Sequence, residues 1–196
     1  MCLNTDEIDL PLAYSFPHSL YVHIPFCETK CPYCDFNTYS RIEPMLPSYL
    51  EALRLEIEIW GDMLRSPLLS TVFFGGGTPS YIPVEGLNSI LNTVASSFNI
   101  SEGVEITLES NPGDLNESTL RNYLDAGVSR LSIGVQSFND QMLKLLGRRH
   151  TSDQAVQAFE AALKAGFTNV SIDLMYGLPY QTMETWSETL NTVKQL

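Results

Sequence analysis

Five times along this chain a run of apolar, β-branched or aromatic residues gives way to a loop rich in Gly, Pro and polar side chains, and then to apolar residues at helical spacing. No other feature restricts the fold as much. The first unit reads as a strand over residues 20–26, a cysteine-bearing loop, and a helix opened by a capping box of Ser48 and Glu51, with Leu50, Leu53, Ile57, Trp60 and Leu64 on one face. The second has a strand over 71–74, the loop Gly75-Gly76-Gly77-Thr78-Pro79-Ser80 and a helix near 84–97. The third has a strand over 104–108, the loop Glu109-Ser110-Asn111-Pro112-Gly113 and a helix over 116–125 that Gly127 ends. In the fourth, a strand over 130–135 leads through Gln136 and Ser137 to helical pattern over 139–146, and a second helix runs from Thr151, boxed with Gln154, to Gly166. The fifth strand covers 169–174, followed by Met175-Tyr176-Gly177-Leu178-Pro179 and a helix from about Thr182. Such alternation predicts an α/β fold: a parallel sheet with right-handed crossovers, coiling into a partial (β/α) barrel of about five units. Every strand-to-helix loop then lies on one rim, where such folds keep their sites.

At 196 residues the chain suits one domain but falls short of the ~250 residues of a closed eight-stranded barrel. Residues 1–18 read as an irregular lead-in interrupted by Pro11 and Pro17, and residues 19–196 as the core domain. The net charge of −12, with no Lys/Arg cluster, argues against nucleic acid or a polybasic membrane contact. No apolar run approaches the ~18 to 20 residues of a membrane-spanning helix, and Asp6, Glu7 and Asp9 stand where a signal or transit peptide would be basic or acid-poor. The expected setting is reducing and cytoplasmic, with an organelle interior as the alternative.

Three of the four cysteines, Cys27, Cys31 and Cys34, fall in one eight-residue loop, and the fourth, Cys2, stands alone near the N-terminus. Soft thiolates at CxxxCxxC spacing select zinc, Cu(I) or an iron–sulfur cluster. Three ligands on a four-iron cluster leave one iron open to chelate a small molecule, and S-adenosylmethionine (SAM) offers an amino and a carboxylate group for that purpose. The alternatives are a structural zinc site with His23 as fourth ligand, or a disulfide with a spare thiol, which suits a secreted chain better than this one.

The other rim loops carry chemistry of their own. The Gly75–Gly77 triplet removes three side chains after a strand, so its backbone either approaches a ligand or forms a tight turn, and Thr78 adds a hydroxyl. Glu109 at the mouth of the third strand either accepts from an ammonium or ribose hydroxyls or serves as a cap. Gln136 both donates and accepts, and Arg148 offers a fork for a carboxylate or for a surface ion pair. Asp173 sits in an otherwise apolar strand apart from Ser171; the two share a face, and a buried charge there demands a ligand or a salt-bridge partner. Tyr33 packs against a cluster or an adenine, or shields the loop. Tyr21 and His23 share one strand face.

With these residues in view, the sequence resembles the radical SAM superfamily, and within it the group of oxygen-independent coproporphyrinogen oxidases and HemW heme chaperones. The resemblance rests on Tyr21-Val22-His23-Ile24-Pro25-Phe26-Cys27, the three-cysteine motif, Gly75 to Ser80, Ser132 to Phe138, and Ile172 to Pro179. It implies that Cys27, Cys31 and Cys34 ligate a [4Fe–4S] cluster. It also implies that Tyr21, Tyr33, Gly76, Gly77, Thr78, Glu109, Gln136, Arg148 and Asp173 line a SAM site. The oxidases look like CxxxCxxCxC, whereas Phe36 holds the last position here, so the run from Cys31 to Asn37 is similar to the HemW branch. Members of that branch are implied to bind heme and to pass it to acceptor proteins.

Two departures stand out. Tyr180 takes the place of a glycine in the family's Gly-Leu-Pro-Gly stretch, which puts the tight turn there in doubt. The family core is also followed by a further strand and a C-terminal domain, so the chain reads as incomplete at its C-terminus. Three functions follow as expectations: a HemW-like protein with heme as its cargo; a radical enzyme that decarboxylates coproporphyrinogen III to protoporphyrinogen IX; or a short, non-catalytic form.

Overall fold

The computed structural model describes residues 17–196. The lead-in reading falls almost wholly outside the described residues, as does Cys2, and the first strand already begins at His18. The strands are β1 (His18–Ile24), β2 (Phe26–Cys27), β3 (Tyr39–Ser40), β4 (Leu68–Gly76), β5 (Asn99–Ser110), β6 (Arg130–Gln136) and β7 (Val170–Leu174). The helices are α1 (Leu46–Met63), α2 (Val84–Ser97), α3 (Glu117–Asp125), α4 (Asp140–Leu145), α5 (Ser152–Ala165) and α6 (Met183–Val193). Five strands form one parallel sheet in the order β1-β4-β5-β6-β7. This is the predicted α/β architecture.

The two sheet faces differ in chemistry. Val22, Ile24, Val72, Phe74, Leu108, Leu131 and Ile133 are buried in the core cluster. Residues in the opposite phase are Tyr21, His23, Phe73, Thr107, Glu109, Arg130, Ser132, Ser171 and Asp173. A parallel sheet covered on both faces reads as continuous apolar runs, so alternation here marks one face as the wall of a polar cavity. That face is cross-linked by its own side chains: Arg130 donates to Ser171 at 3.2 Å and Thr107 at 3.4 Å, and Asn169 to Glu105 at 3.4 Å.

Most local signals act as read. Asn116 caps α3 by accepting from Thr119 N–H at 3.0 Å, and Thr151 and Gln154 form the reciprocal box that opens α5, which Gly166 closes. The Ser48–Glu51 box does not form. The helix starts earlier, at Leu46, with Pro47 preorganising its first turn, and the Ser48 hydroxyl donates back to Met45 O at 2.9 Å. Of the apolar stripe on α1 only Ile57 is buried, while Trp60 stays 48% exposed, because this helix flanks the edge strand β1.

The expected weak point at Tyr180 is a formed turn. Gln181 N–H donates to Leu178 O at 3.0 Å, with Pro179 at the second position and Tyr180 at the third, its φ at 64°. A tyrosine therefore occupies a left-handed backbone position that favours glycine, and its ring is 88% exposed, with little packing to offset the strain.

His150, between the two helices after β6, is 3% exposed. Its Nε2–H donates to Val135 O at 3.1 Å, and Nδ1 is buried without a partner among the described residues. Burial, helped by the charge of Arg148, pushes its pKa down from 6.5 to about 4.

Two outcomes are expected. Tyr180→Gly raises the unfolding free energy by about 0.5 to 1 kcal/mol in urea titrations, relieved strain outweighing the added freedom of the unfolded chain. Since His150 has a lower pKa folded than unfolded, its contribution is intact above pH 6.5 and is lost as pH falls toward about 4. The loss is on the order of 3 kcal/mol, and His150→Phe flattens the pH dependence of stability in that window.

Candidate functional site

The cysteine loop is pinned at its base by a pairing that the sequence reading missed. Pro25 interrupts the first strand, after which Phe26 and Cys27 pair with Tyr39 and Ser40 as β2 and β3. Lys30 Nζ reaches Thr38 O at 3.1 Å across the loop, and Cys34 N–H donates to Cys31 O at 3.0 Å. His23 ties the loop to β1: its Nε2–H donates to Asn37 O at 2.9 Å while Nδ1 accepts from the Tyr21 hydroxyl at 3.1 Å. Both ring nitrogens are thus engaged, which leaves His23 no lone pair for zinc.

All three thiols are free, Cys27 buried and Cys31 and Cys34 half-buried. Thr78 Oγ1 donates to Cys27 Sγ at 3.5 Å, and Arg148 Nη1 to Cys31 Sγ at 3.7 Å. Burial pushes the Cys27 thiol up, opposed by hydroxyls from Thr78 and Thr38. Among the described residues no three His, Cys, Asp or Glu side chains converge on a single-ion position. A polynuclear cluster, in which each thiolate takes its own metal, is the better match for this loop.

The glycine triplet is a close approach of backbones. Gly77 N–H donates to Ile24 O at 2.7 Å and Thr78 N–H to Phe26 O at 2.8 Å, and a Cβ on Gly77 would lie 2.6 Å from Phe26 O and 3.0 Å from Cys27 Sγ. Gly76, at φ 112°, donates its N–H to Glu109 Oε2 at 3.1 Å, and a Cβ there would enter the His23 ring. Burial raises the Glu109 pKa and the charge of Asp173 adds to the rise, with the Gly76 N–H and His23 opposing.

Beyond β6, Gln136 adopts φ 70°, a strained position that turns the chain at the rim. Its side-chain nitrogen lies over Gly134, where a Cβ would meet it at 3.1 Å and meet Arg148 Nη2 at 3.5 Å. Arg148 donates to Gly134 O, and its Nε is buried without a partner among the described residues. Tyr33, from the cysteine loop, has its phenol pushed up to about 12 by burial, against the pull of Arg148. Asp173 corrects an expectation: it is exposed rather than buried and has no salt-bridge partner among the described residues. Ser132 Oγ lies 3.1 Å from both of its oxygens, with Ser171 Oγ 3.2 Å from Ser132. The shared face of Ser171 and Asp173 is as read, but it opens into space instead of protein.

One cavity of about 610 Å³ gathers these groups, a volume suited to a small molecule. The three cysteines, Tyr33, Gly76, Gly77, Thr78, Glu109, Gln136, Arg148 and Asp173 all line it. Tyr21 does not. It lies along β1, its ring stacked on Phe73 at 6.0 Å, and borders a separate cavity of about 320 Å³ beside α1. Asn111, Ser132 and Met175 line the main cavity without having been singled out. Ser132 was within reach, since it shares a strand face with Gly134 and Gln136. Three free thiols on one loop, an unpaired guanidinium nitrogen and an open cavity beside them fit a [4Fe–4S] cluster with one iron left for a chelating ligand.

The comparisons agree with this geometry. The signature of the radical SAM superfamily matches residues 21–193. The heme chaperone HemW of Haemophilus influenzae is 38% identical over 184 residues, covering 91% of this chain and 47% of the relative. HemW of Bacillus subtilis is 40% identical over 179 residues, with the same two coverages of 91% and 47%. The chain thus spans about half the length of these curated relatives. Among solved structures, the coproporphyrinogen III oxidase HemN of Escherichia coli, described as a radical SAM enzyme, superposes with a TM-score of 0.85 at 34% identity, covering 91% of this chain and 42% of the oxidase. Among the described residues no helix is long and apolar enough to cross a membrane. With its signature matched along most of its length, the chain belongs to the radical SAM superfamily.

Proposed function

We propose that this chain is the cluster- and SAM-binding part of a HemW-like protein of the cytoplasm, which binds heme and delivers it to acceptor proteins. The observation that carries the reading is the convergence of three thiols from one loop with Glu109, Arg148 and Asp173 around a single cavity. Similarity to HemW relatives and an exposed Phe36 at the position of the oxidases' further cysteine favour the chaperone branch.

In this reading Cys27, Cys31 and Cys34 hold three irons of the cluster. The bound cluster supplies an open iron and an electron to SAM. The chain's own residues bind and orient. Arg148 presents its fork to the SAM carboxylate, and Glu109, steadied by Gly76 N–H, receives the ammonium. Asp173, held by Ser132, accepts from ribose hydroxyls. The backbones of Gly76 and Gly77 and the Thr78 hydroxyl line the near wall, while Tyr33 covers the cavity from the cysteine loop. Tyr21 acts at one remove, fixing the His23 tautomer that holds Asn37. Burial raises the Glu109 pKa and a bound ammonium lowers it, so SAM binding is linked to loss of the Glu109 proton over the pH range in which that carboxyl titrates.

A second reading, porphyrin decarboxylation, draws on the similarity to the oxidase. Anaerobic reconstitution with iron and sulfide, followed by EPR of the reduced protein with and without SAM, tests the shared part. Iron and sulfide in equal amounts with a signal that SAM shifts is the expected result; an intact, folded chain that takes up no iron would sink it. Heme titration and a coproporphyrinogen assay then separate the branches, with heme binding and no decarboxylation expected. Glu109→Gln is expected to weaken SAM binding roughly tenfold. In the parent protein affinity rises with pH through the Glu109 titration, and the variant loses that dependence in calorimetry.

A further inference from the structure

Arg149 follows Arg148 in the turn between α4 and α5 but serves different partners. Its Nη1 pairs with Glu28, and its Nη2 donates to Asp114 Oδ1 at 3.0 Å. Asp114 also accepts from Ser80 Oγ at 3.0 Å, and that hydroxyl accepts from Asn111 N–H at 3.2 Å. Glu28 directly follows Cys27, Ser80 ends the glycine-rich loop, and Asp114 ends the turn after β5. One guanidinium therefore joins the turn that carries it to the loops after β2 and β5, and through Asp114 to the loop after β4. The side chains of Arg149 and Asp114 are only 23% and 13% exposed, and Glu28 is half-exposed. Beside this junction Gly147 lies against the cysteine loop, where a Cβ would meet Pro32 Cδ at 2.7 Å.

We propose that Arg149 is a positioning residue that braces the cysteine loop against the rim, acting through Glu28 and Asp114 and not on metal or SAM. Between its base at Cys27 and the return at Thr38, the loop has few backbone bonds of its own, yet it carries Cys31 and Cys34. A guanidinium shared by two carboxylates at partly buried positions holds better than a pair of exposed ions. Its removal also leaves Glu28 and Asp114 as like charges with nothing between them, so the loop is pushed off as well as released. The bearing on the metal rests on the cluster reading above; the brace itself does not.

Hydrogen exchange of the metal-free chain tests the brace in Arg149→Met, Glu28→Gln and the double variant. Arg149→Met is expected to speed exchange over residues 28–36 about fivefold, leaving β5 and β6 unchanged. The double variant is expected to be no faster than Arg149→Met, because both changes remove one interaction. Arg149→Lys, able to serve one carboxylate but not both, falls between. In reconstituted protein, Arg149→Met loses iron to a chelator faster by a similar factor, with an unchanged EPR shift on adding SAM to the fraction still loaded. Unchanged exchange over 28–36, a rise spread over the whole sheet, or effects that multiply in the double variant would overturn the brace. Faster exchange with unaltered iron loss would overturn its bearing on the metal. If the parent chain takes up no iron, the exchange arm still decides the role of Arg149, and only the cluster reading fails.

Discussion

The rim is built outward from one contact, the backbone of Gly77 lying on the carbonyls of Ile24 and Phe26. That contact brings the end of β4 against the start of the cysteine loop, places Thr78 on Cys27 Sγ, and turns Gly76 N–H toward Glu109. A single methyl group at Gly77 would meet two backbone oxygens and the Cys27 sulfur at once, none of which yields as the end of a flexible side chain would. The placement of Cys27 at the base of the loop thus depends on this absence of a side chain.

Charge at the rim is mixed, within a chain that is acidic as a whole. The chain carries a net charge of −12, and the cavity that holds the cysteines is lined by Lys30, Arg148 and Arg149 together with Glu28, Asp35, Glu109 and Asp173. On the proposed reading, in which the thiolates hold an iron–sulfur cluster, Arg148, which donates to Cys31 Sγ, is the cation placed to answer its negative charge. The two adjacent arginines point different ways, Arg148 toward Cys31 and the cavity, Arg149 toward the carboxylates of neighbouring loops. The cations of the site are thus few, and each is set against particular partners.

Much of this was legible because local and global preferences agree. Strand alternation, the Thr151–Gln154 box and Gly166 each signal a boundary through chemistry confined to a few residues. What escaped depends on partners distant in sequence. The β2–β3 pair needs Phe26 to meet Tyr39 across the cysteine loop, and nothing within either dipeptide announces that. Asp173 looks buried in an apolar run, but its neighbours face the helices while it faces the cavity, a distinction set by sheet register. Tyr180 shows the reverse case, in which the bonds of Gln181 and the fixed φ of Pro179 hold a turn that the residue itself disfavours. The residues that line the main cavity were readable by resemblance apart from Tyr21, which borders the second cavity and bonds to His23.

Asp173 stands on β7, and among the described residues that strand bonds to a neighbour on one side only. Its far side offers a row of amide and carbonyl groups to any strand that comes alongside. The span from that carboxylate to the thiols on the opposite flank is therefore fixed, at this end of the sheet, by the pairing of β7 with β6 alone.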